Sequence, residues 1–399
     1  MEQNTNKKVG TFSQVLLWFG AAVSIAEIIT GAMIAPLGLI DGFLAIIIGH
    51  VIGAVILLLG GLIGAKSGLS ASFSARISFG KYGSFCFSIL NLLQLLGWTA
   101  IMIVSAAKAM DGISIHIIDF SNEMLWCAIV GALVVCWVLL GNNGLTRLNT
   151  VVMFILLAGS LLLGVIVFKG NGLASVIDEN MLFGTAVELN IAMSLSWLPL
   201  ISDYTRNLKD PVRGTIGSVA GYFIGSVLMY TIGLGAALYA GTSDISTILL
   251  SAGFGIIAFV VIVLSTVTTT FLDVYSAGVS IVNIHKKANE KISAIIACLA
   301  GTLLAMFVSM SQYENFLYLI GSAFAPLFAI LFVDYYLLGK REVKEGELLN
   351  MQNSLLWITG FIAYRLLMPY TTVVGITVPV MVGIGLLHVI LNMLKNQSK

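Results

Sequence analysis

The chain has 399 residues, 58% hydrophobic and only 10% charged, with a mean hydropathy of +1.01. Soluble domains carry about 25% charged residues, so the composition excludes a soluble enzyme or binding module and describes an all-α polytopic membrane protein set in a lipid bilayer. A net charge of +1 gives no basis for binding nucleic acid.

The first apolar run, from about 12 to 40, is long enough to span a bilayer, since about 20 apolar residues match a hydrocarbon core of about 30 Å. Lys7 and Lys8 precede it without a short apolar region and cleavage site, so it is read as a retained span. Glu27 lies in its middle, where a carboxylate costs about 2.5–3.5 kcal/mol on insertion scales. Gly20 and Gly31 bracket it, and each glycine weakens a helix by about 1 kcal/mol relative to alanine. The combination predicts a discontinuous helix whose freed backbone groups bind an ion or a substrate, with Ser24 and Glu27 at the site. The competing reading is a continuous helix whose glycines permit close packing.

Apolar windows bounded by charges and turn residues predict twelve spans. Their limits are about 12–40, 43–65, 84–110, 122–141, 149–168, 183–204, 214–240, 253–284, 291–310, 313–338, 352–369 and 373–394. With the N-terminus inside, 17 of the 20 lysines and arginines fall on the cytoplasmic side, all except Lys108, Lys169 and Arg365. That bias predicts a cell-membrane protein with both termini cytoplasmic. Residues 1–11 and 395–399 are tails, 12–338 a transporter core, 339–351 a cytoplasmic loop and 352–394 two additional helices.

Between the second and third spans, residues 64–84 read as a loop, without the Gly-Lys-Ser/Thr order of a phosphate-binding loop. The third span carries Gln94 and Trp98, four residues apart on one helix face. An amide edge beside a flat indole suits a planar, nitrogen-rich ring; the alternative is ordinary packing. In the sixth span, Pro199 removes a backbone hydrogen bond mid-run and predicts a break lined by Ser194, Ser196 and Trp197. Interrupted spans one and six are placed as two inverted five-helix repeats would place them, about 12–168 and 183–338. The eighth span sets Ser265, Thr268, Thr269 and Asp273 on one face. Hydroxyls with a carbonyl are hard oxygen ligands that suit an alkali cation, although membrane threonines also bond back to their own helix. The four cysteines, Cys86, Cys127, Cys136 and Cys298, lie in apolar segments and imply no disulfides. His50, His116, His285 and His388 are scattered without metal-ligand spacing, and no nucleophile motif is present, which argues against an enzyme.

These segments resemble the nucleobase–cation symporters, cytosine-permease branch. The likeness runs from about 12 to 340 and rests on Gly64-Ala-Lys-Ser-Gly68, Ala75-Arg-Ile-Ser-Phe-Gly-Lys-Tyr-Gly-Ser84, Gln94-Leu-Leu-Gly-Trp98, Asp203-Tyr-Thr-Arg206 and Thr268-Thr269. The Glu27 segment and Ser196-Trp-Leu-Pro-Leu-Ile-Ser-Asp-Tyr-Thr-Arg206 are most similar to CytX-type permeases for hydroxymethylpyrimidine. The resemblance implies a LeuT-like fold, a 5+5 inverted repeat plus two C-terminal helices, with substrate contacts at Gln94 and Trp98. It also implies a sodium ion, as coupling ion and not an organic cofactor, held by carbonyls of Gly20, Val23 and Ser265 and hydroxyls of Thr268 and Thr269. The three successive threonines Thr268 to Thr270 admit a shift of one residue. The chain departs from the family in helix six, where Ser194 stands at the stacking aromatic's place and Trp197 follows three residues later. Thr270 and Phe271 likewise replace asparagines common after the paired hydroxyls. With Glu27 and Asp273 added as acceptors for a ring amine, the expectation is a secondary importer of a small planar aminopyrimidine, hydroxymethylpyrimidine first and cytosine second. A channel or a structural bundle is the alternative of another class.

Overall fold

A computed structural model describes residues 8–169, 181–240, 255–307, 310–370 and 372–397. The expected connector at 169–182, the start of the eighth span, the first seven residues and the last two lie wholly or largely outside the described residues.

The first expected span is broken. Helix α1 runs Thr11–Ala22 and α2 runs Ile25–Met33, separated at Val23 and Ser24. The break is set by Ser24, whose extended backbone (φ −140°, ψ 157°) and side chain cap α2, its Oγ accepting the Glu27 N–H at 3.3 Å. That is a helix N-terminus in mid-span. Glycine does not make the break: Gly31 instead lets α2 approach the backbone of Tyr230 where a Cβ has no room. The run also ends earlier than 40. Pro36 opens a short 3-10 turn at Ala35–Leu37, and Gly38 at φ 73° starts α3, Gly38–Ser67.

The expected 64–84 loop is mostly helical. After Gly68 (φ 72°) come α4, Ala71–Ser74, and α5, Arg76–Ile118, kinked at Gly80 (φ 71°). The kink is held from outside: Lys81 N–H donates to the Glu347 carbonyl at 3.0 Å, Tyr82 N–H to Leu348 at 2.8 Å, and Asn350 N–H to Phe79 at 3.2 Å. The helix α6 is assigned without interruption over Glu123–Lys169, where the sequence predicts two spans. The sixth expected span divides into α7, Phe183–Ser196, and α8, Leu198–Thr205, with Pro199 in the first turn of α8. There follow α9 (Pro211–Ala240), α10 (Gly255–Ile284), α11 (Glu290–Ala305), α12 (Tyr313–Phe332, continued as a π turn to Leu337), α13 (Met351–Leu367) and α14 (Thr377–Gln397). Among the described residues, eight helices are long and apolar enough to cross a membrane. Helices α11 and α13, at 16 and 17 residues, fall just short of that length.

The helices pack in groups that position the two breaks. Helices α1, α2, α3, α7, α8 and α9 form one bundle; α5, α6, α10 and α11 form a second that embraces it. Helix α9 lies along the whole broken first span through Gly217, Gly221, Gly225 and Gly233, which meet Thr11, Val15, Phe19 and Ile28 respectively. Small residues four apart let membrane helices approach closely, where dispersion replaces the hydrophobic effect as the glue.

Candidate functional site

Both breaks open onto one cavity. Its lining is Ser24, Ala26 and Glu27 from the first break, Met193, Ser196 and Trp197 from the second, Trp98 and Met102 from α5, and Thr269 and Asp273 from α10. The cavity is about 20 Å³, room for roughly one water. A pyrimidine ring therefore enters only if its walls move.

The tryptophans are held edge-on by other rings. Trp98 is 5% exposed and meets Tyr313 at 6.0 Å and Phe316 at 5.4 Å between centroids. Trp197 sits against Trp18 at 5.5 Å and Tyr222 at 6.1 Å. Edge-to-face contacts fix the planes of both indoles at the cavity wall. The Trp98 Nε1 is buried without a hydrogen-bond partner among the described residues.

The two carboxylates on the wall differ. Glu27 accepts from Ser226 Oγ at 2.6 Å and from Tyr222 Oη at 3.2 Å, both on α9. Asp273, 4% exposed, accepts no hydrogen bond from any described residue. Its acceptor capacity is directed to the cavity.

Two of the sequence candidates lie one layer back. Gln94 does not line the cavity; its Nε2 donates to the Ser196 carbonyl at 2.8 Å and to Asn91 Oδ1 at 3.2 Å, so it props the second break. Ser194 turns toward α3, packing where Gly53 lacks a side chain and donating to the Asn190 carbonyl at 3.3 Å.

The candidate ion residues divide as well. Thr269 Oγ1 reaches the Gly20 and Ala21 carbonyls at the end of α1, at 3.5 and 3.3 Å. Thr268 bonds back to Leu264 and Ser265 carbonyls at 2.9 and 3.1 Å, and Ser265 Oγ donates to Ile262 at 3.0 Å. Thr268 thus adopts the back-bonded arrangement, and Thr269 alone of the pair crosses to the first span. The carbonyls of Gly20 and Ala21 are available because α1 stops at Ala22.

Sequence reasoning passed over Met102, Met193, Tyr222, Ser226 and His50. The sequence does carry a signal for some of them. Ser24-x-x-Glu27 has the spacing of a capping box, which marks a helix start inside the span. The glycines at 217, 221 and 225 mark a contact stripe, and Tyr222 and Ser226 each follow one of them.

Comparison with known proteins follows the same lines. A family model described as permease for cytosine/purines, uracil, thiamine, allantoin matches residues 2–397. The cytosine permease of Escherichia coli K12 is 26% identical over 303 residues, 74% of this chain and 69% of the relative. The hydantoin permease of Microbacterium maritypicum is 24% identical over 372 residues, covering 86% and 76%. Among solved structures, Mhp1, a nucleobase-cation-symport-1 family transporter, in a closed form with bromovinylhydantoin bound superposes with a TM-score of 0.80 at 22% identity, over 96% of this chain and 92% of that one. Its inward-facing form gives 0.80 at 20% identity, over 98% and 92%. With a LeuT-like fold, two helix breaks on one cavity and a family match along nearly its whole length, this chain belongs to the nucleobase–cation symport family, in the cytosine-permease branch, and is a secondary transporter of nucleobase-like substrates and not an enzyme.

Proposed function

We propose that this transporter imports a small planar aminopyrimidine, hydroxymethylpyrimidine in particular, across the cell membrane in symport with sodium. The carrying observation is the shared cavity, with indoles from α5 and the α7–α8 break and carboxylates from α2 and α10. Stacking on Trp98 and Trp197 serves the ring, and Asp273, with its acceptor capacity open, serves an exocyclic amine. Glu27 serves the same edge with the capacity left by Ser226 and Tyr222. Sodium is supported by Thr269 facing the Gly20 and Ala21 carbonyls. In this reading Val23 and Ser265 add carbonyls, and Thr268 joins after releasing its back-bond. Cytosine is the second reading, favoured by the similarity to a cytosine permease. Cytoplasmic termini are proposed from the lysine and arginine bias. A cysteine placed at exposed Lys344 should label only from the cytoplasmic face; Asp178, a natural outer counterpart, lies outside the described residues.

Equilibrium binding of radiolabelled hydroxymethylpyrimidine and cytosine to the purified full chain, titrated with sodium at fixed pH, tests this. Hydroxymethylpyrimidine should bind more tightly, and sodium should strengthen binding by about 5–150-fold, the range of a typical coupling free energy. Thr269→Ala should remove most of that effect. Trp98→Ala should weaken binding by about 1–3 kcal/mol at any sodium concentration. Affinity flat in sodium overturns the ion site, and tighter binding of cytosine overturns the choice of substrate.

A further inference from the structure

Behind the cavity wall, a third element joins Glu27. Ser226 Oγ, which contacts Glu27 Oε2 at 2.6 Å, also lies 2.5 Å from Nε2 of His50 on α3. The other ring nitrogen, Nδ1, is 2.9 Å from the Ile46 carbonyl. All three residues are buried; Glu27 and His50 are each 1% exposed.

The protons of this chain can be counted. A carbonyl oxygen only accepts, so Nδ1 of His50 must carry a hydrogen. A neutral imidazole then has a bare Nε2, which needs the Ser226 proton. Having donated there, Ser226 has no proton for Glu27, and two acceptor oxygens would meet at 2.6 Å unless the carboxyl itself supplies the hydrogen. Alternatively Nε2 is also protonated and donates to Ser226, which then donates to an ionised Glu27. Both arrangements contain the same number of protons, one more than an ionised carboxylate beside a neutral imidazole. The two interconvert without loss. As the Glu27 Oε2–H bond breaks, a new Ser226 Oγ–H bond forms, while the old Ser226 Oγ–H bond breaks and Nε2–H forms.

We propose that Glu27, Ser226 and His50 form a proton-binding site, a relay that holds one exchangeable proton and links the substrate cavity to the α3–α9 interface. Glu27 borders the cavity and His50 does not. A ligand amine that hydrogen-bonds Glu27 favours the ionised carboxylate and sends the proton to His50; an empty or apolar contact returns it. The groups facing the relay are consistent with this. From α9 come Tyr222, bonded to Glu27, and Tyr230, whose ring lies 4.8 Å from that of His50. Helix α12 brings Tyr313, bonded to Thr30; α10 brings Asp273; and α7 brings Asn190 beside His50. Among the described residues no lysine or arginine pairs with Glu27, leaving His50 as the counter-charge within the relay. The inference goes beyond the transport reading and stands whichever pyrimidine is carried and whether or not sodium also binds.

The test uses ligand-free, full-length protein, so that its failure is separate from failure of the substrate or sodium assignment. Infrared difference spectra report protonated carboxyls, and nitrogen chemical shifts of labelled histidine report the state of His50. Near neutral pH, either a protonated-carboxyl band that is lost in Glu27→Gln or a doubly protonated His50 is expected. On raising pH the Glu27 and His50 signals should change in one common step, which Ser226→Ala should split or shift. An ionised Glu27 beside a neutral His50 near neutral pH overturns the proposal, as does a pair that holds two protons. Signals unaltered by Ser226→Ala overturn it too. If Glu27→Gln does not fold, the wild-type His50 shifts and Ser226→Ala decide the matter.

Discussion

Two fully buried glutamates, each on a half of a broken span, end in opposite situations. Glu188 on α7 is 0% exposed and saturated with donors. Its Oε1 accepts from Tyr364 Oη and Thr377 Oγ1, both at 2.6 Å, and its Oε2 from the Ile376 and Thr377 N–H groups at 2.6 and 2.9 Å. The last two are the open amides at the start of α14, where a negative charge is favoured. Glu188 is thus a clasp that fastens the two C-terminal helices to the core. Glu27 has two hydroxyl partners and a cavity on its remaining side. A buried carboxylate is costly in either place. The number and kind of its donors separate a group that holds structure together from one with capacity left for a ligand.

Mutation can break that contrast or sharpen it. The largest effect on stability is expected for Glu188→Ala, which leaves two hydroxyls and two backbone N–H groups without their acceptor. At about 1–3 kcal/mol for each unsatisfied buried group, unfolding of the purified protein should shift by several kcal/mol. Ligand affinity of the folded fraction should be unchanged; a wild-type melting curve would remove the clasp. Gly375→Ala attacks the same clasp indirectly. Gly375 sits at φ 75°, and a Cβ there runs into the Glu188 side chain. The left-handed conformation alone costs a non-glycine residue roughly 1–2 kcal/mol, so thermal unfolding should fall by at least that much, with no change in binding. Glu27→Gln should show the reverse pattern. Its shape is conserved and its donors are few, so stability should move by less than about 1 kcal/mol. Pyrimidine affinity should change by tenfold or more, equivalent to about 1.4 kcal/mol. A large loss of stability with unchanged binding would make Glu27 a second clasp.

Most of the long apolar helices and the two breaks were legible because lipid imposes long apolar runs and makes mid-span Glu27 and Pro199 conspicuous; the helical course of 64–84 and the unbroken helix α6 were not. What was not legible depended on contacts between distant segments. The cap by Ser24 was present as a local pattern, yet the side chain of Glu27 ignores that pattern and turns to α9. Gln94 and Trp98 share a helix face, but a side-chain layer separates them: one lines the cavity, and the other supports the Ser196 carbonyl behind it. Helical periodicity assigns a face, and depth is assigned by whichever helix packs against it. The kink at Gly80 is held by residues 347–350, more than two hundred positions away, and no local pattern announces that. Nothing near Glu188 or His50 in the sequence announces their partners, which arrive from α13 and α14 for the first and from α9 for the second.

The glycine stripe of α9 has a mechanical consequence. It grips the first span on both sides of the gap at Val23 and Ser24, with Gly217, Gly221 and Gly225 along α1 and Gly233 on α2. A continuous 30-residue helix laid across a fracture acts as a splint. The two pieces cannot flex about the gap without pulling one of them off α9, so the interruption behaves as a fixed joint and not as a hinge. Its use is chemical: it exposes carbonyls and a helix start at mid-depth while remaining rigid. Opening and closing of the cavity then fall to the contacts between this splinted bundle and the helices that embrace it.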